Sequence, residues 1–180
     1  TTKVTSANPY TFAPTANITL TAKWAINTVS DTVKISPSGG GTVSPNPIIG
    51  QENTAISTTA TPATGYNFKH WRYNDSSASG GYSESTTNPL KITITGKRDI
   101  TAVFELKSYT VTWNGNGGTP SKSSSSFHYN DALGTLPTAT RTGYTFKGWS
   151  TSASGSVNVS TTTKVTGNVT YYAVWQINSY

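Results

Sequence analysis

Residues able to do chemistry are few and scattered. The two histidines, His70 and His128, lie in different halves of the chain, and there is no cysteine. A thiolate metal site is therefore excluded, and a histidine site would lack ligands. No metal or cofactor is expected. Glycoside hydrolysis needs two facing carboxyl groups. Asp75 and Glu84 come nearest, flanking the segment SSASGGYS, which reads more simply as a solvated loop tip. Serine is abundant, but no GxSxG nucleophile elbow occurs. Gly39-Gly40-Gly41 and Gly115-Asn116-Gly117-Gly118 resemble phosphate loops only superficially. Neither carries the required lysine, and no helix follows. They read as turns. An intramolecular Lys–Asn cross-link would need a buried lysine and asparagine beside a carboxylate. Catalysis is not expected.

Binding is the chemistry that remains. Trp71 and Trp149, with Tyr73, Tyr82 or Lys147 nearby, form the candidate set for an exposed aromatic platform. Such a platform would suit a glycan or a host surface protein. A separate expectation is weak, salt-screened attraction of acidic glycans or bacterial wall polymers to the basic second repeat. The competing reading is packing: a tryptophan that recurs in a small domain usually belongs to a core or to a contact between repeats.

These residues must be positioned by strands. Charged residues are only 11% of the chain, against 33% hydrophobic and 11% aromatic. Charge-driven disorder is thus disfavoured. Thr, Val, Ile, Tyr and Trp suit half-buried strands, and no segment has helical apolar periodicity. A mainly β fold is predicted, with one possible helical turn between Asn130 and Leu136. The net charge of +6 is uneven. Residues 30–105 are neutral, with six basic and six acidic residues, whereas residues 107–177 carry five basic residues against Asp131 alone. The basic residues come singly, so no nucleic-acid tract is indicated. No segment is apolar enough to insert into a membrane. A monomer is expected.

The chain repeats itself. TGYNFKHW (Thr64–Trp71) recurs as TGYTFKGW (Thr142–Trp149), identical at six of eight positions. Each is followed by a closing strand, DITAVF (Asp99–Phe104) or VTYYAVW (Val169–Trp175). A third closing strand is NITLTAKW (Asn17–Trp24). Ala22, Ala102 and Ala173 correspond, as do Trp24, Phe104 and Trp175. The openings also match: VKISPSGGGTVSP (Val33–Pro45) and YTVTWNGNGGTPS (Tyr109–Ser121) each lead into a glycine-rich turn. INSY at the end resembles another opening. The organisation read from this is the end of one repeat at 1–28, full repeats at 29–106 and 107–176, and the start of another at 177–180. Strands are expected near 32–36, 54–60, 66–72, 90–95 and 99–104, then near 109–113, 126–129, 144–149 and 168–175. Linkers at Ile26–Ser30 and Leu106–Ser108 are short, which favours a semi-rigid rod. Each repeat is small, so aromatics must supply much of its core. Tyr66, Phe68 and Phe104 are expected there, with Trp113, Tyr144, Phe146 and Trp175 in the second repeat. Trp71 has the opposite strand parity to Phe68 unless a bulge intervenes.

Residues 107–176 resemble a Listeria–Bacteroides repeat, or internalin-type B-repeat, through YTVTWNGNGGTP, LPTATRTGYTFKGWST and VTYYAVW. The tail at 5–26 is similar to the end of such a repeat. Residues 31–105 resemble its divergent version through GGGTVSPNP, ATPATGYNFKHW and NPLKITITGKRDITAVF. The resemblance implies tandem, β-grasp-like, β-rich repeats in an elongated array. It implies an extracellular or bacterial cell-surface setting, as a stalk that presents an adhesive or other domain. The alternative is an adhesive module. It supplies no catalytic residues. The insertion at Asn74–Ser85 departs from the pattern.

Overall fold

The computed structural model describes residues 16, 17, 19, 21–74, 81–94 and 96–179. Most of the 1–28 tail and the tip of the insertion, Asp75 included, lie outside the described residues. The fold is all-β, as predicted, with fifteen strands among the described residues. They gather around two separate hydrophobic cores, one built from residues 33–104 and one from residues 109–175. The first core is enclosed by unit one, the second by unit two.

Unit one contains β1 (Thr28–Asp31), β2 (Val33–Ser36), β3 (Gly41–Ser44), β4 (Ile48–Gln51), β5 (Ala55–Pro62), β6 (Tyr66–Asn74), β7 (Tyr82–Ser85), β8 (Leu90–Thr93) and β9 (Ile100–Leu106). Unit two contains β10 (Ser108–Asn114), β11 (Thr119–Pro120), β12 (Ser124–His128), β13 (Ala139–Thr140), β14 (Tyr144–Ser150) and β15 (Val169–Ile177). In each, the opening strand lies parallel beside the closing strand: Val33 pairs Ile100, and Val111 pairs Val169. A parallel pair needs a long crossover. Here that crossover carries the TGY strand, which pairs antiparallel on the other side of the closing strand.

Alternation places the cores. Along β10, Tyr109, Val111 and Trp113 face inward while the threonines between them face out. On the closing strands the inward residues are Ile100, Ala102 and Phe104, matched by Tyr171, Ala173 and Trp175. The alanines are small for a reason: each is paired directly with a buried tryptophan, Ala102 with Trp71 and Ala173 with Trp149. A β-bulge occurs at the same point in both TGY strands, between Phe68 and His70 and between Phe146 and Gly148. The extra residue, Lys69 or Lys147, shifts the parity, so Trp71 and Trp149 join Phe68 and Phe146 on the inner face. The ring centroids lie 5.4 Å apart in each pair.

Three local expectations change. Residues Asn130–Leu136 form no helical turn; Asn130 sits at φ 65°, a left-handed turn that asparagine tolerates, and Ala132 bridges to Lys164. The stretch Ile26–Ser30, expected as a linker, contributes the strand β1. Among residues 21–27, which hold the end of NITLTAKW, no strand is present.

Candidate functional site

The glycine-rich turns are packing devices. Gly41 lies against the Phe104 ring, where a Cβ would sit 2.5 Å from Cζ and equally close to the Thr61 carbonyl. Gly118 holds the same position over Trp175 and the Thr140 carbonyl. The backbone can approach the closing aromatic only without a side chain. Trp175 is further held by an Nε1–H bond to the Gly115 carbonyl at 3.0 Å.

The proposed aromatic platform is taken apart by the same packing. Trp71 and Trp149 are fully buried, each 0% exposed, because the bulge turns them inward. Neither offers a ring face to a ligand. The Trp149 Nε1–H donates to the Pro137 carbonyl at 2.7 Å. Among the described residues the Trp71 Nε1–H has no acceptor. Tyr73 is half-buried and packs against the unit-one core. Tyr82 pairs with Asn74, on the outer face, and is 42% exposed. The Arg72 guanidinium lies 4.2 Å from the centre of its ring. Lys147 is the exposed bulge residue of unit two. Of the five residues, Tyr82 alone presents an aromatic surface, and the structure does not gather the set into one cleft.

The outer face of the β6–β7 hairpin is polar. His70 Nε2 is 3.4 Å from Glu84 Oε1, and Arg72 stands directly opposite Glu84 in the strand register. Glu84 thus faces His70 and Arg72; its suggested partner Asp75 is outside the described residues. His128 is 3.6 Å from Asp131, in unit two. Among the described residues no group of three His, Cys, Asp or Glu side chains could hold a metal ion. No described lysine is buried, so the requirement for a lysine cross-link is not met there.

Two features were not visible in the sequence. Asp31 is buried, at the place where unit two has Val111, and its Oδ1 accepts the backbone N–H of Arg98 at 3.1 Å. It ties β1 to the loop before β9. The second feature is the junction. Lys107 alone separates β9 from β10, and its N–H donates to the Gly65 carbonyl at 2.8 Å. Its carbonyl accepts the Tyr129 N–H at 2.9 Å. A groove of about 660 Å³ lies there, lined by the TGY turn of unit one and by Lys107, Tyr109 and Tyr129.

Two similarly built β units, with their recurring tryptophans spent on cores and a bonded one-residue junction, define a protein built of β-rich repeat domains. Residues 31–108 match the family model of the divergent InlB B-repeat domain, and residues 109–174 match that of the Listeria-Bacteroides repeat domain. The chain belongs to this repeat family, whose members are typical of bacterial surface or secreted proteins. No curated protein matches the chain.

Proposed function

We propose that the chain is a non-catalytic spacer segment of an extracellular bacterial protein, holding a functional domain at a set distance. The observation that carries this reading is the junction. One residue joins the units, and both of its backbone polar groups are bonded, one to each unit. A flexible linker would leave them to solvent. The family membership supports the setting.

Cysteine-free composition allows a direct test. Spin labels at Lys91→Cys and Lys122→Cys, exposed positions in different units, report the distance between units. One narrow distance distribution is the expected result. A broad distribution would sink the rigid-spacer reading.

A second reading, adhesion to a host protein, a glycan or a wall polymer, draws on the exposed Tyr82–Arg72 stack. Binding that survives high salt and is lost in Tyr82→Ala would favour it. Binding that fades with salt would mark only the basic unit two, screened over a Debye length of about 8 Å at physiological ionic strength.

A further inference from the structure

The junction between the units is one of three places where the same joint is partly or wholly built. At Lys107 it is complete. The N–H bonds back to the Gly65 carbonyl, and the carbonyl accepts the N–H of Tyr129. The Tyr129 ring covers Gly65 so closely that any Cβ there would overlap it. At Asn27 the forward half is present: its carbonyl accepts the Glu52 N–H at 3.1 Å. Glu52 and Tyr129 are equivalent, since Asn53 and Asn130 follow them at the same φ of 65°. The N–H of Asn53 bonds to the Ile94 carbonyl, and that of Asn130 to the Val165 carbonyl. At Asn178 the backward half is present: its N–H donates to the Gly143 carbonyl at 3.0 Å.

The preceding residues agree. Leu106 pairs with Tyr66, and Ile177 pairs with Tyr144, in the same register. The direction in which the chain leaves unit two is thus set as it is for unit one. What differs is the cover. Gly143 has φ +81°, close to the +84° of Gly65, but a Cβ there would meet nothing within 4 Å. Ile177 is 67% exposed, against 39% for Leu106. Arg141 stacks on Tyr144 at 3.8 Å and leaves the glycine open.

We infer that the surface of Gly143, Tyr144 and Ile177 is a docking site for one further unit of the type formed by residues 107–177, which lays its own Tyr129 equivalent over Gly143. The inference rests on the spacer reading and specifies how that spacer would propagate. Asn178 and Ser179 stand where Lys107 and Ser108 stand, so a unit following Ile177 directly enters with its first strand already in register. Asn178 then becomes a complete joint, its carbonyl accepting an N–H from the incoming unit.

The test compares the 180-residue chain with an extended chain in which residues 107–177 follow Ile177 a second time. Spin-label distances are read across the first junction (Lys91→Cys with Lys122→Cys) and across the second (Lys122→Cys with the same substitution in the added copy). Narrow distributions at both junctions are expected. Gly65→Ala should abolish the narrow peak at the first junction and Gly143→Ala that at the second. In the 180-residue chain Gly143→Ala should leave the first junction unchanged. Because Gly143→Ala also strains the turn, Tyr129→Ala in the added copy serves as the second variant. It leaves Gly143 intact and should also abolish the narrow peak at the second junction. A narrow first junction with a broad second one overturns this inference and spares the spacer reading. Broad distributions at both overturn the spacer reading itself. An unchanged second junction in both variants overturns the inferred contact.

Discussion

The paired tryptophans offer a sharp test of the packing argument through Trp71→Phe and Trp149→Phe. The two rings occupy equivalent sites. Each is 0% exposed, faces an alanine across the sheet, and lies 5.4 Å from a phenylalanine ring. Shrinking either indole removes the same atoms, but Trp149 also loses contact with the Trp113 ring 4.9 Å away, where unit one has Val33, so the packing term adds to the cost at Trp149. The indole N–H differs. Trp149 donates to the Pro137 carbonyl at 2.7 Å, and its loss forfeits a net bond worth about 0.5–1.5 kcal/mol. Trp71 buries a donor with no acceptor among the described residues, and removing that donor relieves a penalty of about 1–3 kcal/mol. From the indole N–H alone, Trp149→Phe should therefore cost roughly 1.5–4.5 kcal/mol more than Trp71→Phe. The units can unfold separately, so each must be followed on its own. Amide hydrogen exchange at Ala102 and at Ala173, under native conditions and in mild denaturant, reads the two stabilities independently. If Trp71→Phe proved as destabilising as Trp149→Phe, the equivalence of the sites or the orphaned donor would be refuted.

Other outcomes follow from single contacts. Gly41→Ala and Gly118→Ala should each destabilise their own unit by about 1–3 kcal/mol, as overpacking against Phe104 or Trp175, measured by denaturant unfolding. Alkaline pH should weaken both units. The hydrogen bond and negative charge of Asp99 hold the Lys34 pKa above its ordinary 10.5, and burial holds that of Tyr171 above 10.0. A group whose pKa is raised by folding keeps more protons in the native state, so its contribution is full below the unfolded pKa and is lost as pH rises. Stability should be flat toward pH 10.0 as far as these groups are concerned and fall above it. Tyr171→Phe should flatten the fall in unit two. Lys34→Gln should flatten that in unit one only slightly, because the Lys34–Asp99 pair is exposed to solvent. Amide exchange followed in each unit against pH checks both.

Much of this fold was legible because it is written twice. The TGY strands, the closing strands and the correspondence of Ala102 with Ala173 all stand in the sequence as repeated motifs, and the structure places them at equivalent points. The bulge was legible as a condition: Phe68 and Trp71 share a face only if one residue is extra. What was hidden lies where the period breaks. β1 ends on Asp31, and an acid in an inward position hid the strand inside an apparent linker. The openings match in kind, yet the parallel registers set Val33 against Trp113, since Val33 pairs Ile100 and Trp113 pairs Tyr171. β3 and β4 are four-residue strands in a Gly- and Pro-rich stretch, too short for period to show. The platform of Trp71, Tyr73, Tyr82, Trp149 and Lys147 failed for a related reason. Nearness in sequence says nothing of face, and the bulge together with the hairpin register sends Tyr73 inward and Tyr82 outward.

The divergence of unit one becomes intelligible once the joint is separated from the core. Both units keep the parallel opening and closing strands, the bulged TGY strand and the glycine over the closing aromatic. Unit one adds β7 to the outer edge of β6, while its opening strand is split in two at Thr32, with β1 pairing β4 as β10 pairs β12. None of these changes touches Gly65 or Lys107. The core motif and the joint are common to the two units, and the remaining edge is where they differ. The added hairpin, with Tyr82 and Arg72 on its outer face, is then the place where unit one differs from its neighbour without altering how the units connect. A chain lacking Tyr82–Ser85 but keeping the junction should show the same distance between units. A changed distance would tie the insertion to the joint and remove the ground for treating it as independent.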